Sequence, residues 1–358
     1  MSNVVWWILT VLGILFFPGI GFCIFLAFFD EWIDRKFYAA LQDRIGPLHT
    51  GFKGILQPFA DFVKLLAKED VEPAEADKWG MRLTAIAALV IPLISMLFIP
   101  IIDLTGLLSF EGDLLFIAFM STLLAIIVFL AGWFTANRFA MPGSMRAATQ
   151  LLSYEIPLLL AMFGVGLRTG SLRISEIVAW QLESHRPVIF SIPMLVLFAI
   201  FVLSLQAELE RPPFDIPVAE TEIVGGWEVE YSGKKLGFFR LSNDLQMVVG
   251  AGICTALFLG GPIGVEMWIP SFANVLDSAE LYHVWPILYY TFNFTVKSTI
   301  IVLMLATIKA LMARLRIEQF VQFSWKWLIP TGLIVIIIMF FWVPFADEKI
   351  WTPFENLF

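Results

Sequence analysis

The sequence predicts an all-α polytopic membrane protein with about eight transmembrane helices, a short interfacial amphipathic helix and a structured acidic loop. Three observations predict it. Apolar residues make up 59% of the chain and the mean hydropathy is +0.83, so a water-soluble fold would lack polar residues to cover its surface. Apolar runs of roughly 20 residues, enough for a helix to cross a hydrocarbon core, recur at 4–29, 83–102, 114–136, 151–169, 188–207, 245–262, 285–310 and 326–345. The charged residues, finally, gather in the short segments between those runs. Helices follow because in lipid a segment has to satisfy its own backbone hydrogen bonds.

The first run has no basic region before it and no small-residue cleavage site after it, which predicts a retained span and not a signal peptide. Basic residues fall in alternate connections. Arg35, Lys36, Arg44, Lys53, Lys64, Lys68, Lys78 and Arg82 lie in 30–82; Arg138 and Arg146 in 137–150; Arg211, Lys234, Lys235 and Arg240 in 208–244; and Lys309, Arg314, Arg316 and Lys326 in or beside 311–325. The opposite face keeps only Arg168, Arg173, Arg186 and Lys349. The positive-inside rule then makes the odd-numbered connections cytoplasmic and both termini external, as an even number of spans requires, in a cell (inner or cytoplasmic) membrane. The whole chain, 1–358, reads as one transmembrane domain with cytoplasmic connections at 30–82, 137–150, 208–244 and 311–325.

Within the first connection, Ile55, Leu56, Phe59, Phe62, Val63 and Leu66 repeat at helical spacing, with Gln57, Asp61, Lys64 and Lys68 turned the other way. That predicts an amphipathic helix at the interface, entered through the glycine and proline punctuation of Arg44-Ile45-Gly46-Pro47 and Thr50-Gly51-Phe52. Cys23 and Cys254 lie in apolar runs without metal-ligand spacing, and the formal charge of −8 with no basic cluster argues against nucleic acid. No catalytic triad, phosphate loop or zinc motif is visible, so no redox cofactor and no metal is expected on this chain.

The stretch 208–244 organises the rest. Glu208, Glu210, Asp215, Glu220, Glu222, Glu228, Glu230 and Asp244 outnumber Arg211, Lys234, Lys235 and Arg240, the reverse of the usual balance for a cytoplasmic connection. Pro212, Pro213 and Pro217 interrupt helix, while Gly225, Gly226 and Gly233 permit sharp turns. Phe214, Ile216, Ile223, Val224, Trp227, Phe238 and Phe239 interleave with the charges, as in a packed loop and unlike a disordered acidic one. Glu208, Glu210, Glu220 and Glu222 flank the proline break, an arrangement suited to a proton relay or to a set of carboxylates that responds to a new charge nearby. Salt bridges to Arg211, Lys234, Lys235 and Arg138 are the simpler reading, and the two are compatible. Ionisable residues inside apolar spans are costly and mark function, which adds Glu155, with Ser153 and Tyr154 as candidate partners, and Lys297 in the seventh span.

The blocks DRKFYAALQDRIGP (34–47), GILQPFADFVKLLAKED (54–70), SMRAATQLLSYEIP (144–157), ERPPFDIPVAETE (210–222), EYSGKK (230–235), and ARLRIEQF with WK (313–326) resemble a known family along nearly the whole length. It is the family of the complex I membrane H subunit, or NADH dehydrogenase subunit 1, with its relatives in membrane-bound [NiFe] hydrogenases and ferredoxin-linked sulfur-reducing complexes. The resemblance implies a heel joining a hydrophilic electron-transfer arm to an ion-pumping arm. Glu155, Glu220 and Glu222 would belong to a charged axis with Glu208, Glu210, Glu230 and Lys297; Arg211, Pro212, Pro213, Asp215 and Lys235 would shape the loop. The region of Arg44, Gly46, Gln57, Pro58, Asp61 and Lys64 would border a quinone entrance or an interface with a partner. Implied partners are hydrophilic iron–sulfur and hydrogenase-like subunits on the cytoplasmic face, antiporter-like and small membrane subunits, and the lipid bilayer. Iron–sulfur clusters would sit in those partners.

Several positions depart from the pattern. Leu48 and His49 stand in the Gly46–Gly51 turn where the quinone enzymes have Asn-Arg, Val218 and Asn243 stand where glutamates are common, and Asp34 replaces a Glu. These departures favour a ferredoxin-linked hydrogenase or sulfur-reducing complex that couples redox to proton or sodium translocation. A quinone-site-forming H subunit of a complex I-type oxidoreductase is the alternative, and a secondary ion transporter a further one, disfavoured by the absence of a visible repeat.

Overall fold

The computed structural model describes residues 13–267 and 284–346, apart from the side chains of Glu220, Thr221, Val284 and residues 342–346. The start of the first predicted span, most of the connection 264–284, His283 and Lys349 lie outside the described residues. Among the described residues every regular element is helical. Seven of the described helices are long and apolar enough to cross a membrane, and an eighth apolar helix of 17 residues accompanies them.

In chain order the helices are α1 (Ile20–Leu41), α2 (Gln57–Ala67), α3 (Lys78–Met96), α4 (Asp113–Phe134), α5 (Ala140–Thr169), α6 (Ile174–Glu183), α7 (Ile192–Glu208), α8 (Gly233–Phe258), α9 (Val284–Leu311) and α10 (Ile317–Phe323), which runs through a π-helical turn into α11 (Ile329–Ala346). Helix α8 is buried along most of its length, which makes it the central helix; α1, α2, α3 and α9 pack round it. On the other flank α5 lies between α4 and α7, with α11 against α5 and α7. One core runs through the molecule from Leu26 through Met162, Phe201 and Phe258 to Leu305.

The expected helix bounds need three corrections. The first span does not stop at residue 29: α1 continues to Leu41 and carries Asp30, Glu31, Asp34 and Arg35 into the bundle, where Asp30 and Asp34 are buried. Counter-charges meet Glu31, Asp34 and Arg35 there, and the Thr299 hydroxyl donates to Asp30. Similarly α5 begins at Ala140 and α8 at Gly233, so segments read as connection at 140–150 and 233–244 are helix sheltered by the loop. Gly143 shows how close that shelter is, since a Cβ there would lie 2.7 Å from Gly226 and Trp227 backbone. The third concerns short helices in connections where the sequence predicts none: α6 in the connection that follows α5, and α10 within 311–325.

The interfacial helix forms where expected, as α2, but its faces are shared differently. Gln57 and Asp61 turn into the protein and bond to Thr50 and Arg35, while Phe59 and Val63 are exposed. Arg35 supplies the counter-charge that draws Asp61 inward, while Lys64 and Lys68 of the same face stay exposed. Loops 42–56, 68–77, 135–139, 209–232 and 312–316 meet at one end of the bundle through contacts such as Arg314 to Asp215 and Val71 to Ser232.

Candidate functional site: a buried charge chain and two cavities

The proline-rich loop leaves α7 at Glu208 and is fastened on three sides. The Gln206 amide donates to Pro212 O (2.6 Å) and the Gln150 amide to Ala207 O and Phe214 O (2.7 and 2.9 Å), so the carbonyls freed by the helix break are satisfied. Phe214 packs against Phe320 with ring centroids 4.7 Å apart, Leu315 N–H donates to Pro213 O (3.0 Å), and Arg314 pairs with Asp215 at 2.7 Å. Burial raises the Asp215 carboxyl above the usual range and Arg314 opposes the shift.

Thus held, Arg211 points to α1. Its guanidinium lies 3.3 Å from both Glu31 and Asp34, and Lys309 of α9 reaches Asp34 at 3.1 Å. Burial works to lower the Arg211 pKa, and the Asp34 and Glu31 carboxylates outweigh it, holding the group charged. Glu31 also accepts from Arg35 (2.5 Å), which bridges to Asp61 on α2 (2.7 Å), and Asp61 accepts from Gln57 (2.9 Å). The result is a continuous alternation of charge, Lys309, Asp34, Arg211, Glu31, Arg35, Asp61, across four elements.

Near Arg211 in the chain a second group gathers. Adjacent hydroxyls on α4 serve two carboxylates: Ser121 donates to Glu208 and Thr122 to Glu155. Gln246 of α8 also donates to Glu208 (2.7 Å), and the Trp227 indole donates to Glu210 (3.1 Å). Glu208, Glu210, Glu228, Tyr154, Ser121 and Gln246 line a cavity of about 60 Å³. That is room for a few waters at about 10–15 Å³ of water-centre space each. Burial pushes the Glu210 carboxyl up to about 8, the Trp227 bond opposes this and the Glu228 carboxyl adds to it. Burial likewise raises Glu228, against the pull of Arg240.

A larger cavity of about 370 Å³ opens between α1, α2 and α8. Phe28, Pro58, Phe62, Leu65 and Leu241 form its apolar wall and Arg35, Asp61, Lys64, Arg240 and Asp244 its polar one. Through Arg35 and Asp61 it joins the charge chain directly.

The structure therefore gathers Glu155, Glu208 and Glu210 in one group and Arg211, Asp61, Gln57, Pro58 and Lys64 round the other. The remaining expected residues are dispersed. Glu222 is exposed and pairs with Arg146 (2.6 Å), Glu230 accepts from Asn137, and Glu220 opens a one-turn helix, its side chain outside the described residues. Arg44 sits over Tyr38, 5.3 Å from the ring centre, and Gly46 abuts the backbone of Lys36. Lys297 sits midway along α9, where its ammonium donates to the carbonyls of Leu259, Gly261 and Ile263 at 2.6, 3.0 and 2.5 Å and caps α8. Glu155 takes Thr122 as its partner and not Ser153, whose hydroxyl donates to Thr149 O.

Sequence reasoning missed Glu31, Asp34, Arg35, Asp244 and Lys309 as members of the site. The signal that could have found the first three is their spacing, since Asp30 with Asp34, and Glu31 with Arg35, are one helical turn apart.

Fold and site together define a class: a multi-spanning helical membrane protein whose broken helix brings carboxylates and cations into its interior. A family model described as NADH dehydrogenase matches residues 13–340. The chain is 34% identical over 345 residues to the H subunit of NADH-quinone oxidoreductase from Dehalococcoides mccartyi (strain CBDB1), covering 95% of this chain and 88% of that one. It is 34% identical over 332 residues to the same subunit from Brevibacillus brevis (93% and 92% covered) and 36% identical over 334 to that from Geobacillus kaustophilus (91% and 93%). This chain belongs to the NADH dehydrogenase family of complex I membrane proteins, in its H-subunit branch.

Proposed function

We propose that this chain is the subunit through which a quinone-reducing assembly of complex I type admits quinone and turns its reduction into ion translocation. The observation that carries this reading is the larger cavity. Its size lies in the range of small-ligand sites, its aromatic and aliphatic wall suits a flat apolar ring and prenyl chain, and its polar wall suits the ring oxygens. Quinone reduced by two electrons takes up two protons. Asp61 and Asp244 stand where such protons are drawn, and Arg35 and Arg240 where the negative charge of a reduced ring would be stabilised.

The charge chain supplies the coupling. A change of charge at Asp61 alters the field on Arg35, hence on Glu31 and Arg211, and Arg211 shares a loop with Glu208 and Glu210. Glu208 and Glu155, joined through neighbouring hydroxyls of α4, would pass the change into the membrane. On this reading the charged end faces the cytoplasm of a cell membrane and both termini lie outside. Hydrophilic iron–sulfur subunits cover that end and deliver the electrons, and antiporter-like and small membrane subunits lie alongside. The translocated ion is a proton or sodium.

A second reading has a specific observation in its favour. Leu48, His49, Val218 and Asn243 depart from the quinone-enzyme pattern, as expected of a ferredoxin-linked hydrogenase or sulfur-reducing complex with a hydrogenase-like partner. One experiment separates the two. Membranes stripped of quinone should lose turnover of the assembled complex and regain it when quinone is added, and Glu208→Gln should keep turnover while lowering ion translocation. Turnover that survives stripping, with hydrogen or sulfide produced, would overturn the quinone reading; undiminished translocation by Glu208→Gln would overturn the coupling route.

A further inference from the structure

The larger cavity has one wall that is not part of the main bundle. Helix α2 is connected through loops at both ends, and two separate sets of contacts hold it. Its N-terminal half is tied to α1: Arg35 pairs with Asp61, the Trp32 indole donates to Lys53 O (3.2 Å), and Phe28 meets Phe59 and Phe62 with centroids 5.8 Å apart. Its C-terminal half faces α8, where Gly237 admits it closely; a Cβ on Gly237 would lie 3.3 Å from Leu65 Cβ.

Beyond Ala67 the chain runs along the start of α8 and is gripped there. The Ser232 hydroxyl accepts from Val71 N–H (2.9 Å) and lies 3.2 Å from Val71 O, so it clasps both backbone groups of one residue. Gly233 has φ of 55° and a Cβ would stand 2.7 Å from Glu69 O, so this stretch of chain passes directly over that backbone. The Lys235 ammonium, buried at 4% exposure, pairs with Asp70 at 3.2 Å and Glu72 at 2.6 Å. Arg82 of α3 donates to the same Glu72 at 3.0 Å. Along α8 the contacts therefore run from this grip, through Gly237, to Arg240, Leu241 and Asp244 in the cavity wall.

We propose that Lys235, with Ser232 and Glu72, is a latch that fixes the C-terminal end of α2 on α8 and thereby sets the width of the cavity between them. Lys235 is a positioning residue: it touches nothing in the cavity and acts through α2. The identity of the cavity's occupant as quinone rests on the function proposed above; the latch does not.

The physical reason for a lysine here is that its single buried ammonium joins two carboxylates from a segment without helix of its own. A neutral side chain leaves Asp70 and Glu72 repelling one another, with only Arg82 and Lys78 to answer them. The latch end of α2 then moves off α8 while the Arg35 end stays.

The test uses the assembled complex. Spin labels at Val63→Cys and Lys234→Cys, both exposed positions, report the spacing of α2 and α8. Lys235→Met should broaden and lengthen that distance, and Lys235→Arg should keep it. With a soluble short-chain quinone, Lys235→Met should raise KM roughly five-fold with kcat little changed, the scale of one lost charge-assisted hydrogen bond partly transmitted. A Val71→Cys, Ser232→Cys disulfide in the Lys235→Met background should restore both readings. An unchanged distance would overturn the latch, as would a fall in kcat or assembly with KM constant, which marks a merely structural lysine. If the wild-type complex reduces no quinone, the function proposed above fails, and the distance measurement still decides the latch.

Discussion

Glu210 shows most directly what the loop does to a single side chain. It has a positive φ of 49°, shares the smaller cavity with Glu208 and Glu228, and is held to Trp227 by one hydrogen bond. Burial, with Glu228 adding to it, puts its carboxyl at about 8 against an ordinary 4.5. A raised carboxyl pKa means the folded state holds a proton the unfolded state has lost. Its stabilising effect is complete below about pH 4.5 and fades as pH rises to about 8. Thermal unfolding of the complex should accordingly lose stability over that interval, by about 1–2 kcal/mol after allowance for partial solvent access. Glu210→Gln, which still accepts from Trp227, should flatten that part of the profile. A variant whose profile parallels wild type would show that Glu210 titrates near its ordinary value.

At the scale of elements, the loop 209–232 was legible in the sequence and several helix ends beside it were not. Proline at 212, 213 and 217 and the mixture of aromatic and acidic residues have local physical meaning, so a break and a packed loop could be read directly. The ends of α1 and α5 could not. Asp34 looks like the start of a connection until Lys309, 275 residues away, is beside it, and Gly143 and Ser144 look like loop until Gly226 and Trp227 cover them. The amphipathic pattern of α2 gave its existence and bounds, but Asp61 of its polar face turns inward to meet Arg35 of α1, which the local pattern does not show. A sharp test of the loop's packing is Gly226, whose φ is 61° and whose Cβ would fall 1.8 Å from Pro217 O. Gly226→Ala should dislodge Trp227 from α5, at more than about 1–3 kcal/mol, the usual scale of backbone strain alone. Limited proteolysis at the loop in stripped membranes should become several-fold faster, and wild-type resistance would contradict the packing described.

For the whole molecule, one architecture follows from a bundle whose central helix α8 contributes to the latch at Lys235, the larger cavity at Asp244, the carboxylate group at Gln246 and, through its capped end, the fixed position of Lys297. The charge chain from Asp61 to Lys309 joins α2, α1, the loop and α9, so under the function proposed above a ligand event at one edge would be transmitted by charge without any helix needing to move far. Under the function proposed above, quinone is the ligand to seek first. The decisive measurement is photoaffinity labelling of the assembled complex with a quinone bearing a photoreactive group, followed by mapping of the labelled peptides. The account predicts label on α2 and on the 240–244 stretch of α8, competed by unmodified quinone and lowered by Phe62→Trp, which fills the cavity. Label confined to other subunits, in a complex that is turning over, would contradict it.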